Sequence, residues 1–508
     1  MKILTAAEMR DVDRRTIEAG IPGIVLMENA GHRVVEFLAE RFAPLAGQRI
    51  VVLCGKGNNG GDGLVIARQL HTRFALDSLH VVLLAEPAEL KGDAAANFAC
   101  LLAAGGTVER EIPAEAHAAT LVVDALLGTG VSGAATGRML QGIREINHGF
   151  PLAAVVAVDL PSGMPTDSGE PAGEFARADY TVTFTAPKVA HAMPPNCDHI
   201  GELMVGAIGS PPELYADAWL ALLEPAMFRE LLAPRARAGH KGAYGHVLVV
   251  AGSRGKTGAA AMTGLAALRA GAGLVTVASA VSTIAEIASH APELMTEPLA
   301  ETPEGSIAPD AELERITEGK TVVAIGPGLG RAPQIAAMVH ALSHAFEGPM
   351  VLDADALVGQ VNGAPSRIRI LTPHPGEMAR LTGKTTAEVQ ADRIGAARTY
   401  ATEHGVTLVL KGQRTVIAFP DGRVWINPTG TPAMGKGGSG DILTGMIAGL
   451  VAQFPERAGQ AVAAAVYLHG LAGQLGAQAL GEKCLMATDL LQYLPDAMEE
   501  CAQVPHCV

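Results

Sequence analysis

The chain has 508 residues, 49% of them hydrophobic and only 4% aromatic, with 59 glycines and a formal charge of −14. That acidic balance, with no basic stretch to offset it locally, excludes nucleic acid as an expected partner. No run of about 18 uninterrupted apolar residues occurs, and Glu8, Arg10, Asp11 and Asp13 follow the start too soon for a signal-peptide core, so no membrane partner is expected. Cys54, Cys100, Cys197, Cys484, Cys501 and Cys507 lack a short metal-ligand spacing and read as reduced thiols of a cytoplasmic protein.

Residues 1–45 read as helical, with apolar positions near Ile17, Ile21, Val25 and Leu26. β-α alternation follows. The run Arg49–Cys54 is a buried-strand candidate that enters a glycine loop, after which residues 64–70 read as a helix. Further strands are expected at 79–84, 121–124, 153–159 and 180–184, a spacing that predicts a parallel doubly wound sheet. Prolines 211, 212, 225 and 234 and a basic run mark a boundary, giving domains 1–220 and 221–508. A second α/β series is expected, with strands at 246–250, 274–278, 321–325, 350–353, 368–372 and 407–410. A hairpin is expected over 415–427 around Asp421-Gly422.

In the front half, Gly57-Asn58-Asn59-Gly60-Gly61-Asp62-Gly63 stands between a strand and a helix, where open α/β sheets bind ligands. A tight turn is the other reading, but it needs far fewer of these residues. Asp124 and Asp159 each close a strand and lead into Gly128-Thr129-Gly130 and Pro161-Ser162-Gly163. Each aspartate alone also fits a helix N-cap. Oxygen donors from Asn59, Asp124 and Ser162 suit a hard cation, and the uncharged ones suit a monovalent ion. Lys188, beside Pro187, reads more readily as a solvated loop charge than as a site residue.

These segments, with Met27-Glu28-Asn29-Ala30-Gly31, resemble NAD(P)H-hydrate epimerases over nearly all of residues 1–215. The resemblance implies a Rossmann-like three-layer sandwich. It implies that Asn58, Asn59, Gly60, Gly61, Asp62, Gly128, Thr129, Gly130, Val131, Ser132, Gly133, Ala134 and Asp159 bind a hydrated nicotinamide nucleotide. Asn59, Asp124 and Ser162 would hold potassium, and Asp159 is the expected acid/base residue.

In the back half, Gly255-Lys256-Thr257 invites a P-loop reading, but the signature requires glycine at position 250, where Val250 stands inside a strand. The loop instead suits a substrate wall near Ala259. Gly326-Pro327-Gly328-Leu329-Gly330 follows a strand and is expected to open a helix. His374 ends another strand, held extended by flanking prolines, and Glu377 beside it suits the orientation of a magnesium-bound water. Lys411 at a strand end reads equally well as a phosphate ligand or a solvated turn charge. The segment Gly435-Lys436-Gly437-Gly438-Ser439-Gly440-Asp441 then runs into a helical apolar pattern at Ile442, Leu443, Met446, Ile447, Leu450 and Val451. Glycine N–H groups at a helix start cradle an anion, and an aspartate at the lip can deprotonate an attacking hydroxyl. That combination points to phosphoryl transfer.

Together with Asn427-Pro428-Thr429-Gly430, this order resembles the ribokinase-like fold and, within it, ADP-dependent NAD(P)H-hydrate dehydratases, over about 235–495. The resemblance implies that Ala259, Gly328, His374 and Asp441 touch the hydrate. It places Lys411, Gly412, Gln413, Arg414, Thr415 and Gly440 on ADP, which enters with Mg²⁺. The whole reading is an α/β protein of two doubly wound domains that epimerises R and S hydrates of NADH and NADPH and dehydrates the S form, giving AMP and phosphate. Asp441 is the second catalytic residue, and a homo-oligomer is expected. A small-molecule kinase and a nucleotide sensor without turnover are the alternatives.

Overall fold

The computed structural model describes residues 1–130, 133–309 and 313–503, so Val131, Ser132 and Cys507 lie outside the described residues. The chain divides into two compact units, Met1–Leu220 and Ala221–Val508.

In the first unit, β1 (Arg49–Cys54), β2 (Ser78–Leu83), β3 (Leu121–Ala125), β4 (Ala154–Val158), β5 (Tyr180–Phe184) and β6 (Glu202–Gly206) form one sheet in the order β2-β1-β3-β4-β5-β6. Every neighbouring pair is parallel. The strands read as near-continuous Val, Ile and Leu because both faces are covered. Ile50, Val52, Val123 and Val156 face one way, against Leu64, Leu70, Val34 and Leu38 of two helices. Val51, Leu53, Val122 and Val155 face the other, against Ile146 and Phe150. The strand order reverses between β1 and β3, which opens a crevice above their carboxyl ends. β6 was not expected from the sequence: it is an edge strand, mostly half-buried, with an apolar run of only Leu203, Met204 and Val205.

The expected glycine loop is shorter than its sequence suggests. The helix after β1 spans Asn58–Arg73, so both asparagines and Asp62 sit in its first two turns. Glycine costs about 1 kcal/mol in a helix relative to alanine, and close approach explains why it is kept. A Cβ on Gly60 would stand 1.9 Å from the Gly55 carbonyl oxygen.

The second unit carries a ten-stranded sheet of β7 (Leu220–Leu222), β8 (His246–Val250), β9 (Leu274–Ala280), β10 (Met295–Leu299), β11 (Val322–Ile325), β12 (Met350–Leu352), β13 (Arg369–Leu371), β14 (Thr407–Leu410), β15 (Val416–Ala418) and β16 (Val424–Ile426). Their order is β10-β9-β8-β11-β12-β13-β14-β15-β16-β7. Pairing is parallel from β10 to β14 and antiparallel through β15 and β16. The reversal lies between β8 and β11. The loop after β11 does not open a helix directly: the next helix begins at Pro333, where a missing N–H costs nothing.

The helix Ser439–Gln453 is buried from Ile442 to Ala452 and packs on the helix Thr257–Arg269 as well as on β8, β11 and β12. Small residues permit that approach. A Cβ on Gly445 would lie 2.2 Å from the Thr263 carbonyl oxygen. The glycine segment at the start of this helix is therefore anchored on a rigid element.

Candidate active sites

A cavity of about 710 Å³ opens above the β1/β3 reversal, lined by Asn58, Asn59, Asp62, Gly128, Thr129, Gly130 and Asp159 among others. Gly60, Gly61, Gly133 and Ala134 are not among its lining residues. Asp159 adopts φ +66°, a left-handed conformation that non-glycine residues seldom hold and that costs about 1–3 kcal/mol. The strained turn aims the carboxylate at its partners. Asp159 Oδ1 accepts from Lys188 Nζ at 2.7 Å and from Thr183 Oγ1 at 2.9 Å. Lys188 Nζ also donates to Thr183 Oγ1 at 2.8 Å and to the Phe184 carbonyl at 3.1 Å.

Lys188 is only 1% exposed, so its reading as a solvated loop charge is corrected. Its aliphatic stem is covered and its ammonium sits beneath Asp159. Burial alone would raise the Asp159 carboxyl, but the charge and hydrogen bond of Lys188 outweigh it and hold the group below its ordinary value. His191 accepts from the Lys188 N–H at 3.0 Å. Burial and the nearby ammonium push it down to about 3, so it stays neutral. Burial, with Asp159 and Asp13 nearby, drives Asp62 well above the ordinary aspartate range.

Neither strand-end aspartate caps a helix. Asp124 accepts from Ser162 Oγ at 2.5 Å and from Ser162 N at 2.8 Å. Ser162 Oγ in turn receives the Leu127 N–H at 2.8 Å, and Asn59 Nδ2 donates to the Leu127 carbonyl at 3.1 Å. Asn59, Asp124 and Ser162 thus meet around one loop, as the cation reading requires. Asn59 Oδ1 is buried with no hydrogen-bond partner, an arrangement that costs free energy unless something else satisfies it. A carboxylate, a hydroxyl and an orphaned amide oxygen fit a hard cation. Burial raises Asp124 to about 6 despite its hydrogen bonds, which a cation there would oppose.

In the second unit the loops after β8 and β11 are tied together. Gly252 N donates to the Pro327 carbonyl at 2.8 Å, and Ser253 Oγ donates to the Gly328 carbonyl at 2.7 Å. Gly328 faces Ala259, since a Cβ on the glycine would stand 3.1 Å from that side chain. Gly438 adopts φ +96° and caps the helix Ser439–Gln453, a backbone conformation open to glycine at little cost. Asp441 lies in the first turn. Burial first, then the charge of Asp353, raises its carboxyl to about 6, with Lys411 opposing.

Asp353, which follows β12, was not singled out in the sequence, although Asp353-Ala354-Asp355 ends a buried strand and offered the clue. It is 1% exposed and accepts from Lys411 Nζ at 2.6 Å, Thr372 Oγ1 at 2.7 Å and Thr444 Oγ1 at 2.9 Å. Lys411 is therefore no solvated turn charge: it is held between Asp353 and Glu377, the latter at 3.9 Å. Glu377 is 5% exposed and spends one oxygen on the His374 N–H at 2.8 Å, with the other 3.4 Å from His374 Nε2. Glu377 thereby closes a capping box at the start of the helix Pro375–Thr382.

Two supports of the loop after β14 and of the glycine segment were also missed. Arg393 donates to the Gln413 and Leu410 carbonyls, shaping the turn 411–415 in which Arg414 takes φ +55°. His469 lies on the helix Ala458–Leu480, pushed down to about 4 by burial, so its neutral ring donates from Nε2 to the Ser439 carbonyl at 3.0 Å. Both are far in sequence from what they hold. Lys436 reaches the Lys483 and Leu485 carbonyls at 2.7 and 2.6 Å and pins the glycine segment from behind.

Residues 23–190 match the family described as YjeF-related protein N-terminus, and residues 247–496 match NAD(P)H-hydrate dehydratase. The bifunctional NAD(P)H-hydrate repair enzyme Nnr of Moorella thermoacetica is 46% identical, with 97% of this chain and 96% of that protein covered. The chain belongs to the family of bifunctional NAD(P)H-hydrate repair enzymes. The member from Thermofilum pendens is 39% identical over 98% of this chain and 96% of its own. Among solved structures, the ADP/ATP-dependent NAD(P)H-hydrate dehydratase of Bacillus subtilis, co-crystallized with ATP/Mg²⁺, is 38% identical with a TM-score of 0.50. The match covers 55% of this chain and 98% of that one. The two family matches thus fall one in each of the units described above. Among the described residues no helix is long and apolar enough to cross a membrane.

Proposed function

We propose that this repair enzyme works on hydrated NADH and NADPH at two sites, epimerising the R and S hydrates in the first unit and dehydrating the S form in the second, with ADP as phosphoryl donor. Asp441 carries the reading of the second site. A carboxyl raised to about 6 is ionised at neutral pH yet basic enough to take a proton from the ring hydroxyl. The freed oxygen attacks the terminal phosphorus of ADP, and AMP leaves. Backbone N–H groups of Gly437–Gly440 and the Lys411 ammonium face the charge that develops. Phosphate is a better leaving group than hydroxide, so its loss together with a ring proton restores the dihydronicotinamide.

Lys411, Gly412, Gln413, Arg414, Thr415 and Gly440 are assigned to the nucleotide, and Ala259, Gly328 and His374 to the hydrate. Magnesium enters with the nucleotide phosphates, and Glu377 is the carboxylate placed to orient a water bound to it. Arg393→Met should relax the turn 411–415 and raise the KM for ADP about tenfold while kcat changes less than threefold, read from initial rates at saturating hydrate. A kcat loss at unchanged KM would contradict that role.

In the first unit, Asp159 accepts the proton of the ring hydroxyl, and Asn58, Asn59, Asp62, Gly128, Thr129 and Gly130 hold the nucleotide. Asn59, Asp124 and Ser162 would hold potassium, which when bound supplies fixed positive charge beneath the two glycine loops. Asn59→Ala should remove the dependence of epimerisation on potassium and lower its rate at saturating potassium. The check is a titration of potassium at constant ionic strength, and an unchanged potassium response would reject the site. Five described cysteines are free thiols, which supports a cytoplasmic setting.

The deciding experiment incubates separated R and S hydrates with ADP, magnesium and potassium, following reduced-nicotinamide absorbance and phosphate release. Recovery of NADH with one phosphate per turnover is expected. A stable phosphorylated product without recovery of absorbance would make the protein a kinase, and no turnover at all would make it a sensor.

A further inference from the structure

The cavity of the first unit is lined by Asp13, Asp62, Asp93 and Asp159, and the first of these stands in none of the glycine-loop segments. Asp13 comes from the helix Ala6–Glu18, which Thr5 caps and whose first N–H is held by Asp167 at 2.7 Å. Leu4 N donates to the Pro187 carbonyl at 2.9 Å, and Leu4 makes a parallel bridge with Lys188. The N-terminal segment is thereby stitched onto the segment that carries Lys188. Met9 and Val12 pack with Leu4 and Ala186, and the next face of the helix, Met9, Asp13 and Ile17 at i, i+4 and i+8, forms cavity wall.

Asp13 Oδ1 is buried with no hydrogen-bond partner. An unsatisfied buried carboxyl oxygen costs about 1–3 kcal/mol, and the packing face of the helix is made by other residues, Ala6, Met9, Val12 and Thr16. Asp13 is also close enough to Lys188 and Asp159 to feel both charges. Burial raises it to about 6, Lys188 opposes and Asp159 adds to the rise. Two carboxyls of opposite tendency therefore share one cavity, Asp159 held ionised over its lysine and Asp13 the more readily protonated of the two. Such a split assigns base and acid roles.

The inference rests on the epimerase reading of this unit. The hydrate carries its hydroxyl on the carbon bonded to the ring nitrogen, so configuration inverts without redox chemistry if that C–N bond opens and recloses. We propose that Asp13 is the general acid of epimerisation, giving its proton to the ring nitrogen as the C–N bond breaks. In the same step Asp159 takes the hydroxyl proton, the carbon becomes an aldehyde, and the C–N electron pair goes to nitrogen. Rotation of the aldehyde presents its other face. Nitrogen re-adds, its proton returns to Asp13, and the proton on Asp159 returns to the oxygen, so both residues are restored.

The test uses the full-length enzyme and separated hydrates, with spontaneous epimerisation subtracted. Asp13→Asn should lower kcat for epimerisation by about 10²-fold or more, with KM within threefold and S-hydrate dehydration unchanged. Asp13→Glu should recover part of kcat. Asp62, the other carboxyl raised by burial, is the rival acid, and Asp62→Asn should act mainly on KM. Hydrate-dependent protection of the first unit against heat shows that each variant folds and binds. In oxygen-18 water the product should keep its hydroxyl oxygen during enzymatic turnover. Wild-type kcat in Asp13→Asn, a kcat collapse confined to Asp62→Asn, or uptake of one solvent oxygen per inversion would each overturn the assignment. A wild-type enzyme that does not accelerate epimerisation would instead reject the epimerase reading itself.

Discussion

Asp441→Asn is expected to cut dehydration of the S hydrate by about 10²–10⁴-fold, the range lost when a general base is removed. The same change should raise the thermal midpoint of the second unit at pH 8. The two effects share one cause. Burial and the charge of Asp353 lift the Asp441 carboxyl to about 6, so ionising it costs the folded state more than the unfolded one. Stability is therefore lost as pH rises from the unfolded aspartate range through about 6. Asparagine does not ionise and escapes that loss, which amounts to at most about 3 kcal/mol at 1.36 kcal/mol per pKa unit. Calorimetry should find the variant and parent alike near pH 4 and the variant more stable above pH 6. ADP affinity by titration calorimetry should change little. A stability difference independent of pH, or dehydration above a tenth of the parent rate, would remove Asp441 from the mechanism.

Lys188→Met should destabilise the first unit by about 3–5 kcal/mol, the cost of breaking one side of a buried ion pair, and should abolish epimerisation. The ammonium makes three hydrogen bonds and is 1% exposed, so no water can replace it beside Asp159. Because Asp159 is held below its ordinary value, the stabilisation it contributes is present above the unfolded aspartate range. It is lost as pH falls through the folded value. Adding Asp159→Asn to Lys188→Met should recover part of the stability, since no buried charge is then left alone, and none of the epimerase activity. S-hydrate dehydration should continue in both variants. Urea unfolding combined with assays on each epimer checks this, and a single variant as stable as the parent would show that the pair is solvated.

Such pairs mark where reading the chain stopped short. Asp159 stood out because it ends an apolar strand and precedes a glycine loop, both local signals. Lys188 lies 29 positions later, on a loop beside a proline, and only the pairing of β4 with β5 places it beneath the carboxylate. Asp13 is further still, brought in by the bridge between Leu4 and Lys188. Asp353 and Lys411 meet because β12 and β14 both end at one edge of the sheet, with β13 between them.

From the sequence alone came most of the elements and the turns between them: buried parallel strands as unbroken apolar runs, the hairpin at Asp421-Gly422, and the glycine segment Gly437–Gly440 before an apolar helix. These are properties of neighbours in the chain, set by backbone conformation and side-chain periodicity. Ionisation states were beyond its reach. Whether Asp441 is a usable base, whether Asp159 stays charged and whether Lys188 is in water depend on burial and on charges from distant segments, and these exist only once the sheets have brought their strand ends together.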